Sequence, residues 1–125
     1  LSWFDKAVAD PEYGTRAAAL ANAGTCAHRT GQLGRAEAYW RQALALEPTE
    51  MQSLAGMANL EFARARYLEA RAFAERWLGI APSDREALQL ASQIELKLGD
   101  TDASTRYLQR LQALSPGAIN APRSQ

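Results

Sequence analysis

The chain has 125 residues, with fourteen basic and fourteen acidic side chains that cancel at neutral pH. That length suffices for one ordinary domain with a buried core. The charge balance argues against a nucleic-acid-binding surface, because Arg35, Arg41, Arg64, Arg66, Arg71 and Arg76 alternate with Glu37, Glu61, Glu69 and Glu75, as on solvated helix faces.

The mostly apolar stretches, such as residues 17–23, are far too short to cross a bilayer, and no sequence of signal type appears. Residues 2–9 have the pattern of a helix interior, yet the chain opens at Leu1 without an initiator Met. A fragment or processed form with further repeat sequence upstream is expected, with residues 1–9 as the second helix of a truncated repeat.

Beyond residues 10–14, which carry Pro11 and Gly14, the chain is periodic. Pro48, Pro82 and Pro116 stand thirty-four residues apart, and each breaks a helix because proline lacks an amide hydrogen and disfavours helical geometry in the residue before it. Leu20, Leu54 and Leu88 keep the interval, as do Ala36, Ala70 and Ser104, then Leu46, Ile80 and Leu114. Gly31, Ala65 and Gly99 mark a turn within each unit. The units are expected at 17–50, 51–84 and 85–117, each a pair of short helices. Alanine-rich composition favours helix over strand.

Thr15, Thr49 and Ser83 precede the first helix of each unit, and Gln52 and Glu86 are expected to complete reciprocal capping boxes with the last two. Tyr39, Phe73 and Tyr107 form an aromatic column that Trp3 joins if two residues are inserted near residues 10–14. Trp40 is expected to be fully buried. A helical hairpin cannot bury both faces alone, so successive hairpins stack into one elongated core. The last unit ends in an unusually polar helix with Thr101, Asp102, Thr105, Arg106, Gln109 and Gln112, as suits a terminal repeat. Residues 118–125 lack apolar periodicity and are expected to form a flexible tail.

The residues offer little chemistry. Cys26 and His28 lie roughly 200° apart around a helix, which prevents cooperation as nucleophile and base. Cys26 is expected to be a small core residue. One Cys and one His do not make a tetrahedral zinc site or an internal disulfide. Gly31-Gln32-Leu33-Gly34 lacks the lysine and the strand-to-helix setting of a phosphate loop. The sequence points to a binding protein with no catalytic residues, no metal and no cofactor.

The stretch from Ala36 to Pro48, with the register positions above, strongly resembles the tetratricopeptide repeat. The resemblance implies an all-α fold, a right-handed α-solenoid of tetratricopeptide helical hairpins with about three full repeats and one truncated repeat, forming a single domain over 1–117. It also implies a concave groove lined by first helices. The groove positions here are Ala18, Ala21, Thr25 and His28, then Gln52, Ala55, Asn59 and Phe62, then Glu86, Gln89, Gln93 and Leu96. Family members that clamp a terminal carboxylate use Lys and Asn at such positions. Asn59 is present, but Ala21 and Ala55 replace the lysines, so a carboxylate would lack its cations. An extended or helical segment with apolar anchors fits better, with Phe62 and Leu96 as its pocket.

Met57-Ala58-Asn59-Leu60, Arg66 to Arg71, and Asp100 to Ser104 running on to Ser115-Pro116-Gly117 also resemble the tetratricopeptide pilotin lipoproteins of type IV pilus biogenesis, the PilF/PilW family. That resemblance implies a protein partner, the pilus secretin, whose outer-membrane localisation and ring assembly the chain would assist. It implies a periplasmic, outer-membrane-associated location, with any lipid anchor outside these residues, since Cys26 lies within a repeat helix. The alternative is a cytoplasmic tetratricopeptide adaptor that binds an unrelated protein or peptide.

Overall fold

A computed structural model describes residues 11–114. The helix and tail expected at 1–9 and 118–125, and Trp3 and Pro116 with them, lie outside the described residues. Six helices follow one another: α1 Pro11–Arg29, α2 Leu33–Leu46, α3 Met51–Ala63, α4 Tyr67–Ile80, α5 Arg85–Leu98 and α6 Thr101–Ala113. No strand occurs among the described residues. Each odd-numbered helix pairs with the next as a hairpin, and the hairpins stack, α2 on α3 and α4 on α5, while α1 meets α3 and α3 meets α5.

The three hairpin turns share one device. Gly31, Ala65 and Gly99 have φ of 79°, 62° and 86°, the left-handed conformation that ends a helix and that glycine adopts at least cost. Ala65 is the single non-glycine residue with positive φ among the described residues. Three register positions of small side chains, Ala36, Ala70 and Ser104, are all buried, and the larger Leu54 and Leu88 fill the core between hairpins.

The caps differ from the expected boxes. Glu50 caps α3 by accepting from Ser53 N at 2.7 Å, and Asp84 caps α5 by accepting from Ala87 N at 3.1 Å. Each cap lies one residue beyond Thr49 or Ser83, because a carboxylate directly before the helix takes the free amide and complements the positive helix end. Thr49 Oγ1 donates to Glu47 Oε1 instead, and Gln52, displaced to the second position of α3, turns its amide elsewhere. Thr15 lies inside α1, which starts at Pro11 with Glu12 in its first turn, an arrangement that suits a proline without an amide hydrogen.

Between hairpins, Trp40 is the main wedge. It is 3% exposed, and its indole fits against two glycines, Gly24 of α1 and Gly56 of α3. Its Nε1 donates to the carbonyl of Ala21 at 3.2 Å. A second contact recurs with the repeat: Arg76 donates to the carbonyl of Pro48 and lies over the Phe73 ring, while Arg110 donates to the carbonyl of Pro82 and lies over the Tyr107 ring.

Ion pairs reinforce the junctions. Glu37 of α2 accepts from Arg64 at the end of α3 at 2.8 Å, and Arg71 of α4 makes a two-pronged pair with Glu95 of α5. Glu37 and Arg71 occupy the same repeat position with opposite charge, and each faces the charge that matches it.

Cys26 departs from expectation in being exposed. Its register equivalents, Leu60 and Ile94, are buried because a preceding hairpin packs on them. No hairpin precedes α1 among the described residues. At the other end, α6 buries only Ala103 and Ser104, and Leu108 is 40% exposed at the position where Trp40 and Ala74 are buried.

Candidate protein-binding groove

The first helices of the hairpins, α1, α3 and α5, adjoin one another, and they carry all the expected groove residues. Ala18, His28, Gln52, Asn59, Glu86, Gln89, Gln93 and Leu96 are exposed, and Thr25, Ala55 and Phe62 are half-buried. Ala21 is the exception. It is fully buried because the Trp40 indole and the Gln52 side chain both reach its carbonyl, so it offers a partner nothing.

The two junctions along this face differ. Between α1 and α3, Gln52 Nε2 donates to Thr25 Oγ1 at 2.6 Å, and Thr25 Oγ1 donates in turn to the Ala21 carbonyl. This bond ties the helices across the groove. Between α3 and α5 the equivalent residues are Asn59 and Glu86. Asn59 Nδ2 donates back to the Ala55 carbonyl of its own helix at 2.9 Å, and no hydrogen bond joins Asn59 to Glu86.

A cavity of about 380 Å³ opens at this second junction instead, lined by Asn59, Glu86, Gln89, Leu90 and Gln93. Its chemistry is one carboxylate, three amides and an apolar floor. Leu90 is the member that sequence reasoning missed. It shares its repeat position with Asn22 and Gly56, and a large apolar side chain where the earlier units carry an amide or no side chain was the available signal.

Phe62 and Leu96 do not line this cavity. The Phe62 ring meets Tyr67 edge-on, with centroids 5.5 Å apart, and Leu96 stands 54% exposed further along α5. His28, their register equivalent on α1, lies 5.8 Å from the Trp40 ring. These three residues are spaced along the edge of the array where the hairpins turn.

Cys26 and His28 are not joined by a hydrogen bond. Cys26 lines a separate hollow with Thr30, Gln32, Arg35 and Tyr39. Among the described residues, no group of three potential metal ligands assembles, and no helix is long and apolar enough to cross a membrane.

Residues 17–50, one hairpin with its flanking turn, match the tetratricopeptide repeat family. The six helices stack as hairpins with the same turn geometry in each. The fold is an array of tetratricopeptide-like helical repeats. This tetratricopeptide array is similar in structure to PilW, a widely conserved type IV pilus biogenesis factor: the TM-score is 0.72 and the sequences are 31% identical. The match covers 92% of this chain and 53% of the PilW chain, so the array spans about half the length of that relative. No curated protein matches the array.

Proposed function

We propose that this tetratricopeptide array is a protein-interaction scaffold of type IV pilus biogenesis, the binding portion of a pilotin that escorts the pilus secretin to the outer membrane. The similarity to PilW over 92% of the chain carries this reading. A groove of amides, small residues and a few apolar side chains supports it, since such a face suits a polypeptide segment better than a small anionic ligand.

In this reading the array acts by holding a secretin segment along α1, α3 and α5 until the subunit assembles into its ring. It works stoichiometrically in the periplasm, with no cofactor, and any lipid anchor lies outside these residues. Residues 1–117 act together as one domain of repeats.

The test is capture of secretin from the source cell envelope by the full-length protein, comparing the native form with a Phe62→Ala/Leu96→Ala variant. The expected result is secretin in the native capture and a reduced yield with the variant. Capture without secretin would overturn the pilus reading. Equal yields would move the contact away from the apolar edge of the groove while leaving the partner in place.

A further inference from the structure

We infer that the cavity between α3 and α5 receives an arginine side chain of the partner polypeptide. The inference rests on the reading of this face as a protein-binding groove and adds the chemistry that the partner must bring.

The two equivalent junctions provide the argument. In the first, a donor, the Gln52 amide, meets an acceptor, Thr25 Oγ1, and the helices are tied at 2.6 Å. In the second, the same two positions present the Glu86 carboxylate and Asn59, one of whose two Nδ2 hydrogens serves the Ala55 carbonyl. Glu86 offers the cavity oxygen acceptors only, while Asn59 offers its Oδ1 acceptor and its second amide hydrogen. The Glu86, Gln89 and Gln93 side chains make no hydrogen bond or ion pair within the protein. Glu86 is the one charged side chain on the wall, so the cavity is negative, and its three amides supply acceptors and donors beside that charge.

A ligand with a positive charge and several donors complements the Glu86 carboxylate and the amide oxygens around it. A guanidinium has both: it is planar, carries five N–H donors, and pairs with a carboxylate through two of them while the others reach neighbouring amide oxygens. Its aliphatic stem would lie against Leu90, the apolar floor. A chain-terminal carboxylate would meet Glu86 and be repelled, which disfavours the partner's C-terminus as the occupant.

The experiment uses the full 125-residue chain, labelled with nitrogen-15, and titrates it by NMR with Nα-acetyl-arginine amide, its neutral isostere Nα-acetyl-citrulline amide, and Nα-acetyl-glutamate amide. The arginine probe is expected to shift the side-chain amide signals of Asn59, Gln89 and Gln93 saturably. Citrulline should bind at least about tenfold more weakly, glutamate not at all, and Glu86→Gln should remove the preference for arginine over citrulline while its other signals stay in place. Equal responses to arginine and citrulline, absence of a localised response to arginine, or an undiminished preference in Glu86→Gln would each overturn the inference. The probes contain no secretin, so a negative result here leaves the pilus reading intact, and failure to capture secretin leaves this result intact.

Discussion

The indole of Trp40 lies so close to Gly56 that a Cβ on that glycine would stand 2.5 Å from the ring carbon Cε2. Gly24, on the other first helix, is equally close to Cδ1 and Nε1 of the same ring. One side chain therefore sets how near the first two hairpins approach, and two glycines that weaken their helices permit it.

A glycine inside a helix ordinarily gains roughly 1 kcal/mol on replacement by alanine. Here the sign is expected to reverse. Gly56→Ala and Gly24→Ala should each cost about 1–3 kcal/mol through overpacking, and Trp40→Ala about 3–5 kcal/mol through the cavity it leaves. In the Trp40→Ala background, Gly56→Ala should become neutral or stabilising. Urea denaturation of the four proteins in the Trp40 and Gly56 cycle measures this coupling. Additive effects would show that the ring and the glycine are independent.

Ala65 holds a φ of 62° at a turn where the other two hairpins place glycine. The side chain is strained there, and Ala65→Gly relieves that strain, partly offset by the greater freedom of the unfolded chain. The expected gain is up to about 1 kcal/mol, seen as a higher denaturation midpoint with unchanged slope. A loss of stability would contradict the strain.

Much of the fold was legible because the turn residues and small residues must recur wherever the same hairpin geometry recurs. The thirty-four-residue spacing of Pro48 and Pro82 and of Gly31, Ala65 and Gly99 expresses that requirement directly. Gly24 and Gly56 escaped notice because they are thirty-two residues apart, out of register, although both face one indole. Cys26 was expected inside because its type is usually buried, but its exposure depends on what covers the first hairpin and not on its own chemistry. The groove positions follow the register, whereas the opening between α3 and α5 depends on whether two side chains meet. Thr25 with Gln52 forms a donor and acceptor pair across the junction, and Asn59 with Glu86 does not.

Glu37 sits between Arg64 and Arg41, and hydrogen bonds from Arg64 first and Arg41 second hold its carboxyl below the usual carboxylate range. A carboxyl whose folded value is depressed stabilises the fold above its unfolded value, and that contribution is lost as pH falls through the folded value. The native protein and Glu37→Gln should therefore differ most near neutrality and converge below about pH 4. Urea midpoints measured across that range test the pairing, and a constant difference down to about pH 3 would refute it.

Arg71 meets Glu95 through two hydrogen bonds of 3.0 and 2.8 Å, and Glu95 is 4% exposed. Arg71→Ala strands a buried carboxylate and should cost close to the lower end of the roughly 3–5 kcal/mol typical of a broken buried pair, since Arg71 itself is partly solvated. Replacing both, Arg71→Met with Glu95→Leu, should recover most of that loss. Calorimetric melting of the single and double variants separates the two cases. A double variant no better than the single would mean that the pair contributes more than it costs to desolvate.

The most direct measurement of the groove's role is hydrogen–deuterium exchange of the array with and without purified secretin subunit. Slowed exchange is expected in α1, α3 and α5, strongest around Asn59 and residues 86–93, with little change in α2, α4 and α6. Slowing confined to the second helices, or no change anywhere at saturating secretin, would contradict it.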